Sequence, residues 1–360
     1  MSPRRAGGVP LQVAMAPLPT PRGNPFVRQM ADALGANGCE VVGASLRTAT
    51  TGDVLHLHWP DHAVNRETTL GSVRGAVKLL LMGAIVRVRG GAVVWTVHNL
   101  KAHDGRHPAV ERVFWPLLTR LVSGCVFLTA AGRHAALAAL PGLRRAATVV
   151  VPHGSYRGVY PEYTGSAGDA RRSLGLADDA APLAFFGQIR PYKNLPGLLA
   201  AFADLADPDA RLVVAGDGSD AALLAEVHRA ATEDGRVLVA GRIADDDVQR
   251  VMASAVGVVL PYREVFNSGS LFLALSHGRP VLVPRTDVFM EIGDEVGPGW
   301  VEYFEPPLTA DDLASFARRA DELVASGAAP DLTRYDWDGL GPQIVAFYRR
   351  LLARRSEASL

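Results

Sequence analysis

The sequence is poor in cysteine and lysine and lacks a long uninterrupted apolar segment. Its two cysteines, Cys39 and Cys125, cannot form a disulfide framework, which favours a reducing compartment. The longest apolar stretch, residues 76–88, includes Lys78 and is too short to span a bilayer, and the first twelve residues contain no hydrophobic signal core. We therefore expect a cytoplasmic protein without a transmembrane helix.

The chain has no net charge, but its two halves carry opposite charge. Residues 1–155 contain 17 Lys and Arg against 7 Asp and Glu, whereas residues 156–360 contain 20 against 30. The halves either meet different partners or attract each other electrostatically. The basic residues comprise 34 Arg and three Lys, so a lysine within a motif is unusual in this chain.

Short apolar runs alternate with helix-length segments along most of the chain. This alternation is typical of parallel sheets covered by helices on both faces. It stops in a polar, glycine-rich stretch at residues 157–169 and then resumes, so the 360 residues indicate two domains. The predicted fold class is α/β, with two Rossmann-like domains facing a central cleft. Ligands of such domains bind at the carboxyl ends of strands, which makes the residues after each strand the candidate site residues.

In the first half, candidate residues follow three of the predicted strands. Gly23 and Asn24 precede a helix that begins with Pro25, and this turn either holds an anion or a sugar hydroxyl or is a plain connection. Asp61 follows a strand predicted at 54–59 and is either a general base or a loop cap. His98 is the first polar residue after a buried strand, which places it at the cleft, although a lone histidine there is more often structural.

Two further features of the sequence bear on metal binding. His56 and His58 alternate with apolar residues and point to one side of their strand, but no third close-set ligand is evident. The acidic run at 245–247 is assigned to the first turn of a helix predicted at 245–254, where the helix dipole favours carboxylates. We therefore expect no metal site.

In the second half, two loops carry candidate anion-binding groups. Gly187, Arg190 and Lys193 lie after the strand at 183–186, on a loop that leads into a helix; two cations and exposed peptide N–H groups suit a diphosphate, whereas the alternative is solvated loop cations. The second loop offers Glu264 for sugar hydroxyls. At its end, the start of the next helix supplies hydroxyl and N–H groups for phosphate oxygens from Asn267, Ser268, Gly269 and Ser270.

These segments resemble GT-B glycosyltransferases, closest to the family-4 or group 1 type. In the second half the resemblance rests on FFGQIRPYKN, RLVVAGDG, VLVAGRI, VVLPYREVFNSGS and ALSHGRPVLVP. It extends over nearly the whole chain through PRGNP, WTVHN, VVVPHG and the YDW segment at 335–337. It implies an acceptor-binding domain at 1–155, a nucleotide-sugar-binding domain at 156–338 and a final helix within 339–360, predicted from residue 339, that returns to the first domain.

The resemblance also implies roles for individual residues. Arg190 and Lys193 would hold the diphosphate of the sugar donor, together with residues 267–270, and His98 would contact the transferred sugar. Glu264 matches the first Glu of the family's Glu-x7-Glu pattern, but Phe272 stands where the second is expected, which puts the ribose contacts and a retaining mechanism in doubt. HLHWPD and FNSGS resemble bacterial β-mannosyltransferases and glucuronosyltransferases of exopolysaccharide assembly, which invert; in such an enzyme Asp61 is the candidate base.

The resemblance implies a hexosyltransferase that uses a nucleoside-diphosphate sugar, GDP-mannose or a UDP-sugar. The acceptor would be a hydroxyl group of a sugar or a lipid-linked glycan. We expect no cofactor, because the nucleotide sugar is a substrate. We also expect no metal ion and no nucleic-acid partner. Two alternatives stay open: a nucleotide-sugar epimerase or phosphorylase of the same two-domain shape, and a non-catalytic nucleotide-sugar-binding protein.

A basic apolar helix raises the question of a membrane partner. The segment Thr69–Val88 is predicted to be helical and carries Arg74, Lys78 and Arg87, with Arg89 at its end, among many apolar residues. Such a helix either lies on an anionic membrane surface or is a buried helix whose cations reach solvent. In the first case the protein would be peripheral at the inner face of the cell membrane.

Overall fold

The computed structural model describes residues 10–20, 23–99 and 106–357, which form two compact units. The first unit comprises the described residues up to Gly154 together with those from Arg334 onward, and the second unit is Ser155–Thr333. Each unit contains a six-stranded parallel sheet with helices. The predicted α/β class with two Rossmann-like domains is therefore confirmed.

The first unit is built on buried apolar strands, as expected for a parallel sheet covered on both faces. Its strands are β1 (Leu11–Ala16), β2 (Cys39–Gly43), β3 (Val54–His58), β4 (Ala92–Thr96), β5 (Gly124–Phe127) and β6 (Ala147–Val150). Its helices before Gly154 are α1 (Pro25–Ala36), α2 (Leu46–Ala49), α3 (Thr69–Val88), α4 (Pro108–Leu121) and α5 (Ala130–Ala139). The strand order is β2-β1-β3-β4-β5-β6. Because the order reverses between β1 and β3, their carboxyl ends form the switch point where such sheets bind ligands.

The second unit repeats this plan. Its strands are β7 (Leu183–Phe186), β8 (Leu212–Ala215), β9 (Val237–Gly241), β10 (Gly257–Val259), β11 (Val281–Pro284) and β12 (Val301–Phe304). Its helices are α6 (Ala167–Ser173), α7 (Leu195–Ala203), α8 (Ala221–Glu233), α9 (Val248–Ser254), α10 (Gly269–Ser276), α11 (Asp287–Val296) and α12 (Ala310–Ala325). The strand order is β12-β11-β10-β7-β8-β9, so the switch point lies between β7 and β10.

The last helix, α13 (Trp337–Glu357), packs in the first unit against α1 and the sheet. It approaches β5 closely because that strand begins with Gly124; a Cβ there would lie 2.7 Å from the ring of Phe347. The Tyr348 hydroxyl is hydrogen-bonded to Nδ1 of His56 at 2.6 Å, which ties the helix to β3. The helix begins two residues before the predicted start at 339.

Several predicted elements differ from those in the structure. The strand predicted at 54–59 ends at His58 because Trp59 has a φ of 49°, in the left-handed region, and the chain turns there. The helix predicted at 245–254 is divided into a single 3-10 turn, Asp245–Asp247, and α9. The sequence pattern did not predict α11 or β12, whose four residues include Glu302 at the sheet edge.

The helix predicted at Thr69–Val88 is confirmed as α3. Among the described residues it is the one helix long and apolar enough to cross a membrane, by length and composition alone. A third of its most apolar 18-residue window, 33%, is buried in the first unit. The stretch at residues 76–88 is shorter than the apolar part of this helix, which begins before Ala76.

Candidate active site

The loop after β7 positions Gly187, Arg190 and Lys193 at the carboxyl edge of the second sheet. Gly187 has a φ of 124°, which glycine adopts without strain, and its N–H donates to the Ala215 carbonyl at 2.9 Å. Arg190 precedes the 3-10 turn Pro191–Lys193, which leads into α7. The predicted loop between strand and helix is present, with Arg190 just before this short turn and Lys193 at its end.

Lys193 is a buried cation, with an exposed fraction of 7%. Its Nζ lies 5.6 Å from the ring centroid of Tyr262 and 5.8 Å from that of Phe185. Burial lowers the pKa of Lys193, Tyr192 opposes this shift, and the charge of Arg190 adds to it. No carboxylate in the described part of the chain lies within 4.0 Å of the ammonium group. The site therefore holds a positive charge that the described residues do not neutralise.

The start of α10 lies beside this cation. Ser268 caps the helix by accepting from the Leu271 N–H at 3.2 Å, and its Oγ lies 3.3 Å from the Tyr262 hydroxyl. Ser270 and Lys193 both approach the backbone of Gly187. The structure thus brings together Gly187, Lys193, Ser268 and Ser270, which the sequence placed on two separate loops.

Backbone and side-chain hydrogen bonds join these two loops. The Arg263 N–H donates to the Tyr192 carbonyl at 2.9 Å, and its Nε donates to Oδ1 of Asn194 at 2.9 Å. Glu264, the next residue, is exposed and makes no hydrogen bond or ion pair to another described residue. Asn267 is partly buried, on the same loop as Glu264. The predicted site residue Glu264 thus lies on the loop after β10 but is not held against the cations.

A cavity of about 520 Å³ opens beside Gly187 and Arg190. Asp217, Ser219 and Arg242 also line it, from the turns after β8 and β9. None of these three residues was among the candidate site residues of the sequence. Their position after strands in the same sheet was the signal that could have identified them.

In the first unit, the predicted turn at Asn24 is present and caps α1. Oδ1 of Asn24 accepts from the Phe26 N–H at 2.9 Å, and Pro25 occupies the first helical position. The Gly23 N–H donates to the Thr20 carbonyl at 2.9 Å, which closes a tight turn. Residues 21 and 22 of the PRGNP motif lie outside the described residues.

Asp61 lies after β3 in a 3-10 turn, Pro60–Ala63, and has an exposed fraction of 5%. Its backbone carbonyl accepts from the N–H groups of Val64 and Asn65, each at 3.0 Å. The left-handed conformation of Trp59 redirects the chain into this turn and stacks the indole on His98, with centroids 4.2 Å apart. A non-glycine residue in this conformation costs about 1–3 kcal/mol and is typical of functional sites.

His98 is one of four buried histidines in the first unit rather than a lone one. Nε2 of His98 lies 3.0 Å from Nδ1 of His58, and Nε2 of His56 lies 2.7 Å from the Thr96 hydroxyl. His153, which follows β6, packs with its ring 4.6 Å from that of Phe26. Burial lowers the pKa of all four imidazoles, to about 3 for His56 and about 4 for His153. The cluster is therefore neutral at pH 7.

The histidines do not form a metal-binding geometry. Within residues 10–20, 23–99 and 106–357, no group of three or more His, Cys, Asp or Glu side chains is arranged to hold a metal ion. Two of the imidazoles bond to each other, and their neighbours are aromatic rings. The sequence motif His56-x-His58 is thus part of a packed aromatic cluster.

Comparison with known proteins identifies the family. The family model for group 1 glycosyl transferases matches residues 181–326. The GDP-mannose:glycolipid 4-beta-D-mannosyltransferase of Xanthomonas campestris pv. campestris is 32% identical over 349 residues, which cover 95% of this chain and 93% of that protein. The chain belongs to the group 1 glycosyltransferases. This glycosyltransferase is a hexosyltransferase, and the family resemblance inferred from its motifs is confirmed.

Further relatives agree with this assignment. The D-inositol 3-phosphate glycosyltransferase of Segniliparus rotundus is 29% identical over 215 residues, covering 56% of this glycosyltransferase and 47% of that protein. Anabaena HepE in complex with UDP superposes with a TM-score of 0.65 at 17% identity, covering 94% of this chain and 99% of HepE. Sucrose-phosphate synthase from Thermosynechococcus elongatus gives 0.65 at 16% identity, covering 96% and 100%. These two structures show that this glycosyltransferase has the GT-B fold.

Proposed function

We propose that this glycosyltransferase moves a mannosyl group from GDP-mannose to a sugar hydroxyl of a glycolipid, with inversion at the anomeric carbon. The relative named as a GDP-mannose:glycolipid 4-beta-D-mannosyltransferase, similar over 95% of the chain, supports both substrates. The mannose of GDP-mannose is α-linked, so a β-linked product requires inversion. The family assignment favours hexosyl transfer over the epimerase, phosphorylase and non-catalytic alternatives.

The observation that carries the proposal is the buried, uncompensated ammonium of Lys193. A buried cation is costly unless an anion accompanies it, and the described residues supply no carboxylate within 4.0 Å. The diphosphate of a nucleotide sugar is a suitable counter-ion. Arg190, Ser270 and the N–H groups at the start of α10 would share its oxygens.

The reaction needs negative charge to be stabilised on the leaving diphosphate. As the bond from the anomeric carbon to the diphosphate oxygen breaks, that oxygen gains charge, which Lys193, Arg190 and the α10 amide groups would stabilise. Protein groups alone would stabilise this charge, without a metal ion or another cofactor.

The acceptor hydroxyl needs a base, and the proposal assigns that role to Asp61. Its carboxylate would take the hydroxyl proton as the acceptor oxygen forms its bond to the anomeric carbon, and GDP would leave with the bonding electron pair. Asp61 belongs to the 3-10 turn that follows Trp59 and is buried. His98 would contact the transferred sugar, and Glu264 would accept hydrogen bonds from its hydroxyl groups.

We also propose that the first unit binds an anionic membrane surface through α3 and α4. Both helices expose large apolar side chains, which on α3 recur at helical spacing along one face: Leu70, Val73, Val77, Leu81 and Val88 on α3, and Val113 and Leu117 on α4. Arg74 and Lys78 are exposed beside this face, and no acidic residue lies in α3. Apolar insertion with flanking cations is the chemistry that anionic bilayers bind, and it matches a glycolipid acceptor.

A panel of sugar donors tests the central proposal. GDP-mannose, UDP-glucose, UDP-glucuronate and UDP-N-acetylglucosamine are compared by the rise in the free energy of unfolding. A ligand at 100 times its Kd adds about 2.7 kcal/mol. We expect GDP-mannose to stabilise the protein most, and the gain to shrink in Lys193→Ala. Stronger stabilisation by a UDP-sugar would overturn the choice of donor, and the anomeric proton of the product, observed by NMR, tests inversion.

A further inference from the structure

The second unit contains another cavity, at the opposite edge of its sheet from Lys193. α10 begins after the carboxyl end of β10 and ends just before the amino end of β11, so its last turn lies at the amino edge. Ser276, His277 and Arg279, from the end of α10 and the turn after it, line a cavity of about 570 Å³. We call it the amino-edge cavity; it shares no lining residue with the cavity beside Gly187.

The lining of the amino-edge cavity carries more positive than negative charge, because it contains two arginines and one carboxylate, that of Glu162. Arg279 and Arg157 line it, and Nε of Arg279 donates to the Met252 carbonyl at 2.7 Å. Burial lowers the pKa of Arg279, and the neighbouring guanidinium of Arg171 lowers it further. In the described part of the chain no carboxylate lies within 4.0 Å of Arg157, Arg171 or Arg279. Arg157 and Arg279 line the cavity and Arg171 lies beside Arg279, so the guanidinium groups favour an oxyanion. The charge of Asp331 acts on Arg157 from outside the cavity lining.

The remaining walls are aromatic and polar. The rings of Tyr156 and Tyr160 lie 6.4 Å apart, and the ring of Tyr160 lies 6.2 Å from that of His277. Gln249 is buried in the wall, and its Oε1 and Nε2 of His277 have no hydrogen-bond partner among the described residues. Tyrosine rings and unsatisfied polar atoms suit the apolar faces and hydroxyl groups of a sugar ring.

We propose that the amino-edge cavity binds a phosphorylated monosaccharide at a site separate from that of the sugar donor. The guanidinium groups of Arg157 and Arg279 would bind the phosphate, and the tyrosine side of the cavity would hold the sugar ring. A volume of about 570 Å³ lies within the range of small-molecule sites. The inference does not depend on the proposed transferase substrates, because none of its residues belongs to the diphosphate site.

Calorimetric titration with glucose 6-phosphate tests the proposal on the full chain. We expect binding that Arg157→Gln and Arg279→Gln each weaken about tenfold or more, since each removes a charge-assisted hydrogen bond. Two matched controls should bind as the wild type does. Arg229→Gln removes an exposed guanidinium on α8, and Lys193→Ala removes the cation at the carboxyl edge.

Arg157→Gln is the decisive variant because it should disturb the fold less than Arg279→Gln. Arg157 is exposed and donates one long hydrogen bond, of 3.4 Å, to the Pro330 carbonyl, whereas Arg279 has shorter structural contacts. Absence of binding, or equal binding by wild type and Arg157→Gln, would overturn the proposal. Loss of binding in Lys193→Ala alone would also overturn it, because the ligand would then lie at the sugar-donor site. Equal affinity for inorganic phosphate and glucose 6-phosphate would overturn it as well, because the sugar would then make no contact.

Discussion

A Cβ atom at position 187 would lie 2.6 Å from the Nζ of Lys193. The same position lies 2.8 Å from Oγ of Ser270, and Gly187 itself has a φ of 124°. Glycine therefore serves two purposes here: it permits the turn after β7, and it leaves room for the ammonium group and the start of α10. The location of the buried charge depends on the absence of one side chain.

Gly187→Ala should therefore weaken GDP binding by about tenfold or more while the protein still folds. The new methyl group would displace Lys193 or Ser270, and the positive φ would add strain of about 1–3 kcal/mol. Gly175→Ala is the matched control, because Gly175 also has a positive φ, of 76°, but no atom lies within 4 Å of its Cβ position. Equal GDP affinity in both variants, measured by calorimetry, would show that Gly187 does not position the cation.

Lys193→Ala and Arg190→Ala should each reduce turnover by about 100- to 1000-fold. Each removes a cation that opposes charge on the leaving diphosphate, a loss worth about 2.7–4 kcal/mol in the transition state. Initial rates with GDP-mannose and thermal unfolding curves separate this effect from a loss of folding. Arg229→Ala, which removes an exposed arginine of α8, is the control. Turnover near the wild-type rate in both variants would rule out the diphosphate assignment.

Asp61→Asn should abolish transfer but leave GDP binding unchanged. The carboxylate acts on the acceptor hydroxyl in the proposed mechanism, and a general base contributes about 100- to 10,000-fold to the rate. Asp32→Asn, at an exposed position of α1, is the control for loss of a negative charge in the same unit. If Asp61→Asn transfers normally and the product keeps the α configuration, the enzyme is a retaining transferase.

The free energy of unfolding of the first unit should decrease as pH falls from about 6.5 towards 4. His56, His58, His98 and His153 stay neutral in the fold because burial lowers their pKa values, to about 3 for His56 and about 4 for His153. Unfolded histidines bind protons below about 6.5, so in that window the unfolded state holds more protons and gains stability. Each histidine contributes about 1.4 kcal/mol per pH unit.

Urea unfolding at pH 7, 6 and 5 measures this effect. Tryptophan fluorescence reports mainly on the first unit, which contains Trp59, Trp95, Trp115 and Trp337. His153→Leu should unfold with a shallower pH dependence, by about one proton. A free energy of unfolding that does not change between pH 7 and 5 would mean that the histidines are not held neutral.

The sequence predicted the positions of candidate residues best where a single strand end determines them. Buried apolar runs marked β3 and β7, and the residues after them include Asp61 and Lys193. The grouping of His58, His98 and His153 was not predicted, because it depends on which strands are neighbours in the sheet. Strand order is set by long-range packing, which periodicity does not encode. Because strand order was not predicted, the switch points were not predicted either. The switch point between β7 and β10 explains why the loops after these two strands meet.

The sequence pattern also failed to predict two local features, the end of β3 and the strand β12. The left-handed Trp59 contradicts the usual preference of a bulky residue, so the strand was extended one residue too far. The edge strand β12 is short and half polar, and a Gly-Pro-Gly turn precedes it, so its composition did not distinguish it from a loop. Both cases show tertiary packing overriding local preference.

Co-sedimentation with vesicles should reveal salt-sensitive binding to anionic lipid. The exposed face of α3 offers Val77 and Leu81 for insertion, and Arg74, Lys78 and Arg89 are exposed, whereas Arg87 donates to the Ser123 hydroxyl. Each cation near an anionic surface contributes about 1 kcal/mol, so attachment should be weak and should decline at high salt.

Two variants separate the charge from the apolar contact. Arg74→Glu combined with Lys78→Glu should release the protein from phosphatidylglycerol vesicles, and Val77→Asp should do the same without changing the cations. All three positions are exposed, so the fold should persist. Arg229→Glu, on the exposed face of α8 in the second unit, should bind as the wild type does. Equal recovery with phosphatidylcholine and phosphatidylglycerol vesicles at low salt would contradict the electrostatic attachment and favour a soluble acceptor.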